Sequence, residues 1–91
     1  MILKLSKIAQ TEIEDAKGYY NLQQDNLGVA FKKDIQNTID NIINFPKLYP
    51  NITSNIKRAI LHRFPYSIFY TINEDTIIIL TVSHQHRKPI Y

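Results

Sequence analysis

The chain has 91 residues, no cysteine and a net charge of +3. That length supports one domain around one small core, and a hydrophobic content of 44% argues against a disordered chain. Without cysteine there are no disulfides and no thiolate metal sites. No run approaches the roughly 18 apolar residues of a membrane span, and MILKLSKIAQ lacks the pattern of a signal peptide. A cytoplasmic protein with no membrane partner is the expectation.

Ile2 to Leu5 is a short apolar run that reads as a first strand. Ser6 follows and suits a helix N-cap, because its hydroxyl can accept an unpaired backbone N–H of the first turn. Ala9, Ile13, Ala16 and Tyr20 then recur at steps of four, three and four, which is one face of a helix. Asp25 to Gly28 is a turn signal. A second helix is expected from about Val29 to Asn44. Phe31, Ile35, Thr38, Ile42 and Phe45 mark its buried stripe, widened by Ile39 and Ile43, and Pro46 ends it. Two amphipathic helices with a short turn between them make an antiparallel hairpin.

Residues 46–54 carry two prolines and read as a surface loop. Three strand-like runs follow, at Ile56–Leu61, Tyr66–Ile72 and Thr76–Val82. In the second, Ile68, Tyr70 and Ile72 share one face and Ser67, Phe69 and Thr71 the other. Asn73, Glu74 and Asp75 form the hairpin turn between the last two runs. Ile77, Ile78, Ile79 and Leu80 are apolar on both faces, so the last strand belongs in the middle of the sheet. Pro65 cannot donate a ladder bond and belongs at a strand start or a bulge. The order is β-α-α-β-β-β, an α+β domain of two layers with a helical hairpin packed on a small, mainly antiparallel sheet.

Charge is unevenly placed. Residues 1–46 hold five lysines against six carboxylates, whereas residues 47–91 hold six Lys or Arg against Glu74 and Asp75 alone, together with all three histidines. A basic half suits an anionic partner, and a solvated basic surface is the plainer alternative.

Two segments carry a family resemblance. Lys57 to Tyr70 (KRAILHRFPYSIFY) and His84 to Tyr91 (HQHRKPIY) resemble the signature segments of the RelE/ParE superfamily of type II toxins. Lys57, Arg58, Arg63, Phe64, Pro65, Tyr66 and Tyr70 match the first segment, and His84, Arg87 and Pro89 the second. Upstream, Ala16, Tyr19, Tyr20, Gly28, Ala30 and Phe31 resemble the pattern of the helical hairpin. The resemblance implies a growth-arresting toxin silenced by a cognate antitoxin protein. RelE-like members cleave messenger RNA on the ribosome, and ParE-like members inhibit DNA gyrase. Gln85 and Ser67 stand where RelE-like chains more often carry cations. The FPY corner and the His-x-x-Arg-x-Pro segment look ParE-like, although Tyr91 stands where ParE-like chains more often have Trp. Gyrase inhibition is therefore the favoured expectation, with ribosome-dependent RNA cleavage or a degenerate, non-toxic binding domain as the alternatives.

If the chain were a metal-independent ribonuclease, His84, Arg87 and Tyr91 would be its catalytic candidates. A histidine can move a proton near neutral pH, Arg holds phosphate charge and Tyr can stack on a base. Under the plainer reading, His84 orients the tail through a backbone hydrogen bond. Lys57, Arg58, Arg63, His86 and Lys88 are the candidates for contact with a target or its phosphates. His62, His84 and His86 are the only imidazoles available for a metal, and no metal or cofactor is expected. Tyr19, Tyr20 and Tyr70 are expected to serve packing.

Overall fold

The computed structural model describes residues 1–86. Its elements are β1 (Ile2–Leu5), α1 (Lys7–Gln23), α2 (Leu27–Asn44), β2 (Lys57–Ile60), β3 (Tyr66–Asn73) and β4 (Thr76–His84). The four strands form one sheet in the order β1-β4-β3-β2. β1 runs parallel to β4, and the other two pairings are antiparallel. The last strand is thus central, flanked by β1 and β3, as its two-sided apolar run predicts.

Ser6 caps α1 through the Ala9 N–H at 2.9 Å, and its own hydroxyl donates to the Leu80 carbonyl at 2.7 Å. One serine therefore ends β1, starts α1 and ties both to β4. Ala9, Ile13 and Ala16 are buried on the inner face of α1. Asn26, at φ 66°, turns the chain into α2, a left-handed conformation that Asn tolerates better than most residues. Gly28 lets the helices close. A Cβ there would stand 2.4 Å from the Lys17 carbonyl oxygen, and the Gly28 N–H instead meets Asn21 Oδ1 at 2.8 Å. Farther along the hairpin, Lys32 pairs with Glu14 at 3.1 Å and holds that carboxyl below its ordinary value through the hydrogen bond and the charge.

Phe31, Ile35, Ile39 and Ile42 of α2 are buried with Ala59, Ile68, Tyr70, Ile77 and Ile79 of the sheet. Two members of the expected stripe fall outside this core. Phe45 is 57% exposed and Ile43 is 39% exposed. Phe45 is the C-cap, with φ −136° and ψ 61°, so the helical periodicity that would have carried its ring inward has already ended. The Tyr70 hydroxyl reaches the Pro46 carbonyl at 2.7 Å, pinning the loop after α2 to the sheet.

Between Phe69 and Tyr70 the β3–β4 register shifts. Phe69 pairs with Thr81 and Tyr70 with Ile79, leaving Leu80 as the extra residue of a bulge. Such an extra residue re-aims the side chains beyond it. Ile77 and Ile79 before the bulge and Val82 after it all reach the core.

Candidate functional site

Residues 61–65 form the corner between β2 and β3, and their shape depends on one buried carboxylate. Asp34, on α2, receives the backbone N–H of His62 at 3.3 Å, of Arg63 at 2.8 Å and of Phe64 at 3.0 Å. It is only 7% exposed. Consecutive N–H groups converging on one point make an anion-binding concavity, and here the protein fills it from within. Pro65 ends the run of donors. The corner is closed by Tyr66 N–H to the Phe64 carbonyl at 2.8 Å and Leu61 N–H to the Tyr66 carbonyl at 2.9 Å. Phe64 is buried against Phe31 and Tyr20, with ring centroids 5.4 Å and 4.9 Å away. His62 and Arg63 stay exposed, and the Arg63 guanidinium lies 5.5 Å from the Phe64 ring centre.

The second signature segment meets this corner at the same end of the sheet. Tyr66 pairs with His84, and the Gln85 N–H donates to the Pro65 carbonyl at 2.8 Å. The His84 ring packs edge-on to Tyr66 at 5.2 Å. Its Nδ1 accepts the His86 N–H at 3.1 Å. This bond closes a local turn between the two histidines. Part of the role of His84 is therefore local, shaping the turn that ends β4.

Both histidines line a groove of about 720 Å³ between α1 and the end of β4, whose other walls include Glu12, Asp15, Tyr19, Tyr20 and Tyr66. No Lys or Arg among the described residues lines it. β1 stops opposite Ile79, and beyond that point Glu12 takes the place of a strand neighbour. It accepts the Val82 N–H at 2.8 Å and the Thr81 hydroxyl at 2.6 Å. Tyr20 packs on Phe31 and Phe64 as expected. Tyr19 does not join the core: it is 56% exposed and lines the groove.

The other sequence candidates are spread out. Arg58 sits on β2 opposite Phe69 and is exposed. Lys57, half-buried, donates its ammonium to the Tyr49 carbonyl at 3.1 Å and so braces the preceding loop. Arg87, Lys88 and Tyr91 lie outside the described residues. Among the described residues no three side chains converge to hold a metal ion.

Asp34 and Glu12 were not among the residues the sequence singled out. Asp34 had a signal: it falls three residues after Phe31 and four before Thr38, so a charged side chain sits on the buried stripe of α2. A carboxylate placed there needs donors. Glu12 carried a weaker one, lying four residues before Ala16 beside the apolar face of α1.

A helical hairpin over a β1-β4-β3-β2 sheet, with the Arg63–Tyr66 corner joined to the His84 turn, is the architecture of the RelE/ParE superfamily of toxins. The model of the family described as the ParE toxin of the type II toxin-antitoxin system parDE matches residues 3–89, and the chain belongs to that family. Among solved structures, a chain of the chromosomal ParDE toxin-antitoxin system from P. aeruginosa is similar in fold. Its TM-score is 0.70 at 17% identity, covering 92% of this chain and 95% of that one. No curated protein matches the sequence significantly. This protein is accordingly a type II toxin of the ParE kind. None of the helices among the described residues is long and apolar enough to cross a membrane.

Proposed function

We propose that this toxin acts in the cytoplasm by binding DNA gyrase and blocking supercoiling, and that a cognate antitoxin protein binds and silences it. One observation carries the choice of gyrase over messenger RNA. His84, the histidine that a ribonuclease would use, lines a groove with the carboxylates Glu12 and Asp15. RNA cleavage passes through a phosphorane whose negative charge needs nearby cations. Carboxylates beside the reacting phosphate would oppose that charge instead.

The basic residues suit contact with a macromolecular target better than they suit one reaction centre. Arg63 at the corner and Arg58 on β2 stand exposed on backbone held by the sheet, with Lys57 beside them. His86 and Lys88 belong to the same end of the chain and complete the proposed target-contacting set. His84, Arg87 and Tyr91 would be catalytic only in a ribonuclease.

Purified toxin is added to gyrase and relaxed plasmid, while translated message is followed in cells after induction. The reading requires loss of supercoiling with message left intact. Cut message with normal supercoiling would replace it with the ribonuclease reading, and unchanged growth on induction would indicate a non-toxic binding domain.

A further inference from the structure

We propose that Asp34 is a positioning residue for target recognition: its buried carboxylate, seated beneath the backbone of residues 62–64, holds Arg63 in the pose that grips an anionic group on the target. This rests on the reading of Arg63 as a target-contacting residue. Three features of the corner carry it.

The first is where the charge of Asp34 is directed. Its two oxygens take three backbone N–H groups, and it forms no ion pair with Arg63 or any other described cation. A carboxylate that only neutralised the corner would face the guanidinium. Asp34 instead orders the peptide planes and leaves the guanidinium available to an external anion.

The second is that packing alone does not fix Arg63. Phe64 is held by the rings of Phe31 and Tyr20, but the exposed side chains of His62 and Arg63 have no such core contact. Their backbone direction is set by the bonds to Asp34. The guanidinium then lies over the Phe64 ring, a face that attracts cations. Arg63 is thus steered from both ends.

The third is chemical selectivity. A neutral amide at position 34 would offer one acceptor oxygen and turn an NH2 toward the remaining backbone donors. Asp34→Asn therefore keeps the size of the side chain while removing the convergence of the three bonds. A pre-arranged guanidinium loses less freedom on engaging a carboxylate or phosphate, so loosening the corner weakens target binding without touching the target.

The test compares the intact chain with Asp34→Asn, Arg63→Ala and the double variant. Growth arrest and gyrase inhibition are read alongside hydrogen exchange of the 62–64 amides and thermal unfolding. Asp34→Asn should speed exchange at 62–64 and raise the half-inhibitory concentration about tenfold, as preorganised contacts do when loosened. Arg63→Ala should do at least as much without changing exchange in the core. The double variant should be no weaker than Arg63→Ala alone, because a residue that acts through Arg63 has nothing left to position. Should Asp34→Asn lose the fold, Asp34→Glu takes its place, keeping the charge but shifting the oxygens by one methylene.

Full inhibition by Arg63→Ala overturns the proposal. So does Asp34→Asn that loosens the corner yet inhibits normally, or that weakens Arg63→Ala by the same factor as the intact chain. Growth arrest that follows the expected pattern while gyrase is untouched overturns the gyrase reading and leaves the positioning role standing.

Discussion

The Glu12 carboxylate receives the backbone N–H of Val82 at 2.8 Å, from a helix seventy residues earlier in the chain. It occupies the edge of β4 at the point where β1 has ended. An open central strand would present bare donors and acceptors to other chains, and here a side chain closes it. Glu12→Ala should destabilise the protein by about 1–3 kcal/mol, the cost of leaving a part-buried donor unpaired. Urea unfolding should show a lower midpoint, and light scattering should show increased self-association. Glu12→Gln, which retains one acceptor, should lose less.

The two glycines should respond in opposite directions. Gly28→Ala places a Cβ against the Lys17 carbonyl and Asn21, and overpacking of this kind costs about 1–3 kcal/mol. Gly18 has nothing within 4 Å of the added carbon and lies inside α1, so Gly18→Ala should stabilise by about 0.5–1 kcal/mol through helix propensity. Thermal unfolding of the two variants in parallel checks both signs.

Tyr70 gives the fold an alkaline limit. Burial, with a smaller push from Tyr49, raises its phenol from the ordinary 10.0 to about 12. The folded state therefore keeps this proton when the unfolded chain has released it, so stability falls as pH rises between those two values. Below pH 10 the contribution is complete. Tyr70→Phe should flatten this dependence, while losing about 1 kcal/mol at neutral pH with the hydrogen bond to Pro46. Urea titrations at pH 8 and pH 11 measure both effects.

His84→Ala should leave growth arrest intact, since a gyrase-binding toxin makes no use of a general base, whereas His86→Ala should weaken arrest by removing a target contact while message stays intact. His84→Ala should still cost about 0.5–1.5 kcal/mol, because the ring packs against Tyr66. Induction of each variant, followed by growth curves and message integrity, separates this outcome from that of a ribonuclease. In a ribonuclease His84→Ala would abolish both cleavage and arrest.

Much of the fold was legible because its signals are local. The Ala9–Ile13–Ala16 spacing, the Ser6 cap and the Ile68–Tyr70–Ile72 alternation each depend on residues within a turn or two, where periodicity and capping rules apply. The two-sided apolar run of β4 also placed that strand in the centre. Phe45 misled because a helical stripe was extended one residue past the helix end. Tyr19 misled because adjacent aromatics on a helix point in different directions, and only Tyr20 pointed inward.

The site was less legible. Its signature residues are visible in the chain from Lys57 to Tyr91, and they were enough to suggest the family. Three residues farther back were invisible as partners: Asp34, which holds the corner, Glu12, which closes the strand edge, and Asp15, which helps make the histidine groove acidic. Each acts across a separation that no local pattern encodes.

The sequence by itself therefore determined which segments become helix and strand, and that the two signature segments and all three histidines lie in the second half. Hydrophobic period and turn chemistry act over short distances. Only the tertiary structure decided that β1 lies parallel to β4, that Leu80 is squeezed out as a bulge, and that His84 and His86 share a groove with the carboxylates of Glu12 and Asp15. Those outcomes depend on groups far apart in the chain meeting at one place, as the Asp34 carboxylate and the backbone N–H groups of residues 62–64 do, and on the need of each buried polar group there to find its partner.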